Sequence, residues 1–115
     1  MGHSYGGATV LQAYNLMQLA IKKRVSKIIL LDPWLFPLPE EVLRDEIACP
    51  ILMLANEHFV EIKEVYEQNK IFVKRHGTKI LFICWKDGDH GHQTDIPFVI
   101  GNMPGINKKI GEGAV

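Results

Sequence analysis

One stretch near the N-terminus, Gly2-His3-Ser4-Tyr5-Gly6, constrains the fold more than any other. It has the form G-x-S-x-G, the pattern of a sharp turn from a strand into a helix. The serine sits at the tip of that turn in strained backbone, with its hydroxyl raised above the sheet. Glycines flank it because strand and helix pass too close for side chains. The run Ala8-Thr9-Val10-Leu11-Gln12-Ala13-Tyr14 has the helical period that the second arm needs. Such a turn requires a sheet for its strand to join and a base for its serine.

The rest of the sequence supplies a sheet. Lys27-Ile28-Ile29-Leu30-Leu31 is a nearly continuous apolar run, as in a parallel strand buried on both faces. It ends at Asp32-Pro33, where proline disfavours helix in the preceding residue. Trp34 to Pro39 reads as an apolar, proline-punctuated loop, and residues 40–46 as a short acidic helix. Pro50 leads into a second strand through Ala55. Residues 60–75 read as a helix with Ile62, Val65, Tyr66, Ile71 and Phe72 on its inner face, stopped by Gly77. Lys79 to Trp85 is a third strand, followed by the loop Lys86 to His92. A last helix is expected from Thr94 or Asp95, fading by residues 101–105. The first helix is expected to run unbroken from Gly6 to Lys22, with Val10, Ala13, Tyr14, Met17 and Ile21 as its stripe. Strands separated by helices imply a parallel sheet with helices on both faces, the α/β class.

The 115 residues make at most one domain, and the formal net charge of zero argues against a nucleic-acid surface. The basic run Lys22-Lys23-Arg24 suits the solvated end of a helix. Cys49 and Cys84 lie in or beside apolar runs and read as buried thiols of a reducing compartment. A cytoplasmic location is therefore expected, with secretion left open because the N-terminal part of the fold is expected to be missing. No apolar run reaches about 18 residues, the length of a membrane-spanning helix. No signal-peptide pattern is read in this sequence, which says little for a chain expected to start in mid-domain.

A serine needs a histidine base, and the base needs a carboxylate to hold its tautomer. In α/β-hydrolases the order along the chain is serine, acid, histidine. Partners should follow the C-terminal ends of strands. His90 and His92 both follow the third strand. His58 and His76 read as surface residues, and His3 as a residue of the turn that points elsewhere. Asp32 and Glu57 both sit at strand ends, so the residues alone leave the acid open. Glu57 also reads as a helix N-terminal acid. Asp87, Asp89, His90, His92 and Asp95 form a set that zinc or iron accepts. No metal is expected there, because the serine turn already accounts for a histidine.

The sequence resembles the platelet-activating factor acetylhydrolases over nearly its whole length, from Met1 to about Asn102. Met1 to Thr9 is similar to that family's serine turn. Leu31-Asp32-Pro33-Trp34-Leu35-Phe36-Pro37-Leu38 resembles its L-D-A-W-M-F-P-L. Leu54-Ala55-Asn56-Glu57-His58-Phe59 resembles I-N-x-E-x-F. Residues 88–95 resemble G-S-V-H-x-x-Q-T-D, and Phe98-Val99-Ile100-Gly101-Asn102 resembles F-V-T-G-N. The Q-T-D and G-N details are most similar to the intracellular, type II branch. Pro33 stands where the family has alanine and Asp89 where it has valine.

The resemblance implies Ser4 as nucleophile, Asp32 as acid and His90 as base, chosen over His92 because Asp95 then falls on the family's aspartate. The serine turn itself offers an oxyanion donor at the Tyr5 backbone N–H, and the loop placement of Trp34 and Phe36 next to the acid reads either as plain core or as walls of an acyl or lipid-facing pocket. The implied activity is serine esterase action on the sn-2 acetyl or short acyl ester of platelet-activating factor and related phospholipids. No cofactor and no nucleic acid are implied; the partners are the phospholipid substrate and a transient membrane surface. A general carboxylesterase and a non-catalytic lipid- or partner-binding piece are the alternatives. The expected organisation is residues 1–103 as the C-terminal half of an α/β-hydrolase domain, starting at the serine turn, and 104–115 as a flexible tail. The chain alone is expected to be inactive, since the second oxyanion donor belongs to an earlier loop.

Overall fold

The computed structural model describes residues 1–87 and His90. Four strands form one parallel sheet: β1 (Gly2–His3), β2 (Ile28–Leu31), β3 (Ile51–Asn56) and β4 (Ile80–Trp85). They lie side by side in chain order. Three strands are expected from the sequence, with the strand that launches Ser4 expected to be missing; the structure corrects this with the two-residue β1, which leads into Ser4 and pairs with β2. The connections are helical: α1 (Tyr5–Leu16) and α2 (Leu19–Lys22) after β1, α3 (Glu40–Arg44) after β2, then α4 (Glu57–Val60) and α5 (Lys63–His76) after β3.

Side chains alternate across the strands. Ile28 and Leu30 of β2 and Ile51, Met53 and Ala55 of β3 are buried. Ala8, Leu11 and Tyr14 of α1, Leu43 of α3 and Phe72 of α5 complete the same core. Ile29, Leu31, Leu52 and Leu54, on the other face, are only half-buried. The expected burial on both faces is thus met on one face among the described residues. β4 departs furthest, with Leu81, Phe82, Ile83 and Trp85 all exposed. Cys84 is exposed there too, whereas Cys49 is buried as expected.

Three helical expectations need correction. The helix from Gly6 to Lys22 is two helices, because Met17 (ψ 142°) and Gln18 (ψ 151°) are extended. Leu16, Leu19 and Ile21 around the break are exposed, as is Ala13. Packing supplies most of a helix's stability, and here it has little to hold a straight continuation. The helix expected over 60–75 starts at Lys63 behind α4, because Ile62 is extended (ψ 125°). Val65 and Phe72 are buried as expected, but Ile62 and Tyr66 are exposed. Gly77 ends α5 in right-handed backbone (φ −45°), not the left-handed turn that glycine favours. The expected helix from residue 94, the tail and the boundary at 103 lie outside the described residues.

Parallel strands bring their C-terminal ends to one edge of the sheet. The ladder runs one step past the strands: Ser4 N–H donates to Leu31 O (3.0 Å) and Asp32 N–H to Leu54 O (2.8 Å). Ser4, Asp32 and Asn56 are thereby aligned along that edge.

Candidate active site

Ser4 sits between β1 and α1 with φ 57° and ψ −123°, a left-handed conformation that costs a non-glycine residue roughly 1–3 kcal/mol. Its carbonyl oxygen accepts from Gly7 N–H (3.0 Å) and Trp34 N–H (2.9 Å), which pin the turn from both sides. A Cβ at Gly2 would overlap the Gly6 carbonyl, and one at Gly7 would come within 2.7 Å of the Pro33 Cβ. At Gly6 a Cβ would meet nothing within 4 Å, so crowding explains Gly2 and Gly7 but not Gly6. Tyr5 is the first residue of α1, and its N–H is one of the first-turn donors that have no acceptor within the helix. Those donors and the helix dipole favour negative charge beside Ser4.

Asp32 follows β2 with φ 42° and is fully buried. A buried carboxylate must be hydrogen-bonded, and Asn56 does this twice. Its backbone N–H donates to Asp32 Oδ1 (2.7 Å) and its Nδ2 to Oδ2 (2.6 Å). The Asn56 Oδ1 accepts from Phe59 N–H (2.9 Å), capping α4. Asn56 therefore fixes the carboxylate and the start of α4 with one side chain.

His90 completes the group. Its Nε2 lies 2.8 Å from Ser4 Oγ and its Nδ1 3.5 Å from Asp32 Oδ2. The structure thus brings Ser4, His90 and Asp32 together in the order hydroxyl, imidazole, carboxylate. Glu57 is used elsewhere: its carboxylate accepts from Asp87 N–H (3.1 Å) and lies 3.8 Å from His58 Nε2. It is the first residue of α4, in keeping with a helix N-terminal acid. His58 is exposed, as expected. Asp89, His92 and Asp95 lie outside the described residues.

His3 does not point away from the site. Its Nε2 is 3.0 Å from the His90 carbonyl oxygen, and its ring stacks on the His90 ring at 4.7 Å. Phe59 also stacks on His90, at 3.9 Å and 10°. Trp34 packs on Tyr5 (5.5 Å) and Phe59 (5.6 Å), while Phe36 is exposed. His76, read as a surface residue, is buried at the end of α5 against Phe72. Burial holds its pKa below the ordinary value.

Asn56, Phe59 and His3 are the site residues that sequence reasoning missed. One signal for Asn56 was available: asparagine at a strand end, three residues before the residue whose N–H it caps. Ring stacking between distant residues leaves no such trace. Among the described residues, one donor atom each from His3, Asp32 and His90 lie within 4.8 Å of one another, the set closest to a metal site.

Comparison with known proteins follows the same lines. Residues 1–112 match the family described as platelet-activating factor acetylhydrolase, isoform II. A platelet-activating factor acetylhydrolase of Cavia porcellus is 31% identical over 114 residues, covering 96% of this chain and 24% of that protein. Those of Gallus gallus and Bos taurus are 29% and 30% identical over 105 residues, covering 91% of this chain and 23% and 22% of theirs. The chain thus spans about a quarter of the length of these curated relatives. No solved structure matches. With a match over nearly its whole length, the chain belongs to the platelet-activating factor acetylhydrolase isoform II family.

Proposed function

We propose that this chain carries the catalytic residues of a serine esterase that hydrolyses the sn-2 acetyl or short acyl ester of platelet-activating factor and related phospholipids. The observation that carries the proposal is the 2.8 Å approach of His90 Nε2 to Ser4 Oγ, at a serine held in left-handed backbone. The substrate class is taken from the names of the family and its relatives.

In this mechanism His90 Nε2 takes the Ser4 hydroxyl proton as Oγ attacks the ester carbonyl. Negative charge collects on the carbonyl oxygen, and Tyr5 N–H donates to it at the head of α1. Asp32 accepts from His90 Nδ1–H and stabilises the imidazolium, itself held in place by the Asn56 donors. The intermediate collapses, the alkoxide of the lysophospholipid leaves with the proton from His90, and Ser4 is left acetylated. Water, deprotonated by His90, then attacks the acyl carbonyl; the bond from the acyl carbon to Ser4 Oγ breaks, Oγ takes the proton back from His90, and the acid leaves and ionises to acetate. In this reading Trp34 borders the acyl group, a role that its packing beside Tyr5 and Phe59 supports.

The test is labelling of Ser4 by a fluorophosphonate, followed by assay on an sn-2 acetyl phospholipid and on p-nitrophenyl acetate. Labelling lost in Ser4→Ala and in His90→Ala supports the proposal. No labelling of Ser4 in the folded chain would overturn the proposal. Activity on the nitrophenyl ester alone would favour a general carboxylesterase.

A further inference from the structure

An imidazole base does its work only in one tautomer and one orientation. The 3.5 Å separation between His90 Nδ1 and Asp32 Oδ2 is long for the hydrogen bond that would fix both. Ring contacts also act on the plane of the imidazole. The His90 ring stacks on Phe59 at 3.9 Å, with 10° between planes, and on His3 at 4.7 Å, with 22°. Two rings nearly parallel to a third crowd one another if they share a face. No contact between His3 and Phe59 is found among the described rings, so they occupy opposite faces of the imidazole.

Each clamping ring is itself anchored. Phe59 is buried, and its N–H is held by the Asn56 side chain that also holds Asp32. His3 closes β1, whose register against β2 pairs it with Leu31, next to Asp32. Its Nε2, 3.0 Å from the His90 carbonyl oxygen, is placed to donate to it. His3 thus grips both the ring and the backbone of His90.

We propose that His3 and Phe59 are positioning residues: a two-sided ring clamp that fixes the plane of the His90 imidazole, with His3 also tethering the His90 main chain. The inference rests on the proposed roles of Ser4, His90 and Asp32 above. The clamp leaves the edge of the imidazole open, so Nε2 still faces Ser4 and Nδ1 still faces Asp32. It holds the base to the element that carries the nucleophile (β1 and its turn) and to the element that carries the acid's partner (the β3–α4 junction).

The experiment is histidine ring NMR on the whole 115-residue chain at a concentration where it is monomeric, with His90 assigned from His90→Gln. In the clamped state the His90 carbon-bound ring protons are shifted upfield by the flanking rings, and one tautomer is present. Phe59→Leu should remove most of the upfield shift. His3→Ala should remove part of it and admit the second tautomer. His3→Gln, which keeps an N–H donor for the His90 carbonyl, should preserve the single tautomer. Far-UV circular dichroism shows which variants fold, and His3→Gln with Phe59→Leu carries the test if His3→Ala does not. Ser4 phosphonylation should slow by roughly 10- to 100-fold in His3→Ala, the scale expected when a reacting group is misplaced by about 1 Å. A wild-type chain with the upfield shift that never labels at Ser4 would sink the esterase proposal and support the clamp. Labelling at Ser4 together with His90 signals unmoved by His3→Ala and Phe59→Leu would overturn the clamp.

Discussion

At Asp32 the chain concentrates its costs in one residue: a positive φ, a fully buried carboxylate and proximity to an imidazole. Asn56 answers the burial with two donors. Asp32→Asn should lower the rate of Ser4 labelling and turnover by about 10⁴, because the amide can hold the wrong imidazole tautomer. Glu57→Gln keeps an acceptor for Asp87 N–H and should change the rate little. Single-turnover labelling of the two variants separates these outcomes, and a crippled Glu57→Gln would reassign the acid. The glycines make a second contrast. Gly7→Ala forces a Cβ against Pro33 and should destabilise by about 1–3 kcal/mol. Gly6→Ala meets no neighbour, and alanine suits helix backbone, so it should be neutral or stabilising by up to about 1 kcal/mol. Urea midpoints of the two variants check this, and equal losses would refute the crowding argument. The sequence motif marks Gly2 and Gly6 alike; only the approach of Pro33 shows that Gly7 is the tighter position.

At the scale of elements, the parallel order and the strand ends were legible because aliphatic runs and Asp-Pro or Asn-Glu boundaries are local signals. The breaks at Met17-Gln18 and Ile62 were not, since no proline or glycine marks them and the apolar period runs on through Leu16, Leu19 and Ile21. The turn serine was similarly readable, but the strand ends offered two acids, Asp32 and Glu57, between which only the resemblance chose, and the His3 and Phe59 contacts depend on how β1, α4 and His90 converge. His76 shows the same limit: a histidine at a helix end reads as solvated, yet the packing of α5 buries it. Burial lowers its pKa most, with Arg75 and Lys79 acting in the same direction, while a hydrogen bond to the Leu43 backbone and the charge of Asp45 oppose them. Among the described residues its buried Nε2 has no hydrogen-bond partner, so a proton added there meets no acceptor among them. With the folded pKa below the unfolded value near 6.5, the unfolded chain binds more protons in the interval between them. Stability should therefore fall as pH drops below about 6.5, and the loss should level off below the folded pKa. His76→Gln should flatten this dependence. Thermal melting across that range measures it, and identical slopes in wild type and variant would refute the assignment.

Across the described residues, the helices cover one face of the sheet and leave apolar side chains on the other. The register aligns Leu31, Leu54 and Ile83, and with Trp85 they line a groove of about 510 Å³. β4, the last strand of the sheet among the described residues, is apolar on both sides, with Leu81 60% exposed and Ile83 44%. Natural edge strands usually carry charge, proline or a bulge that blocks pairing with another chain. Residues 80–85 carry no charge and no proline. An exposed apolar patch of this kind marks a surface that something covers, and residues 1–115 in isolation should cover it with one another. The prediction is concentration-dependent self-association with binding of an apolar dye. Leu81 and Ile83 are two apart and share the groove face, so the double substitution Leu81→Lys, Ile83→Lys places charge on the strand without touching the packed core. Exposed substitutions of this kind change stability by no more than about 0.5 kcal/mol. The variant should therefore keep its melting temperature while losing dye binding and shifting to monomer in sedimentation velocity. A wild-type chain that stays monomeric at high concentration and binds no dye would show that β4 is not an adhesive edge.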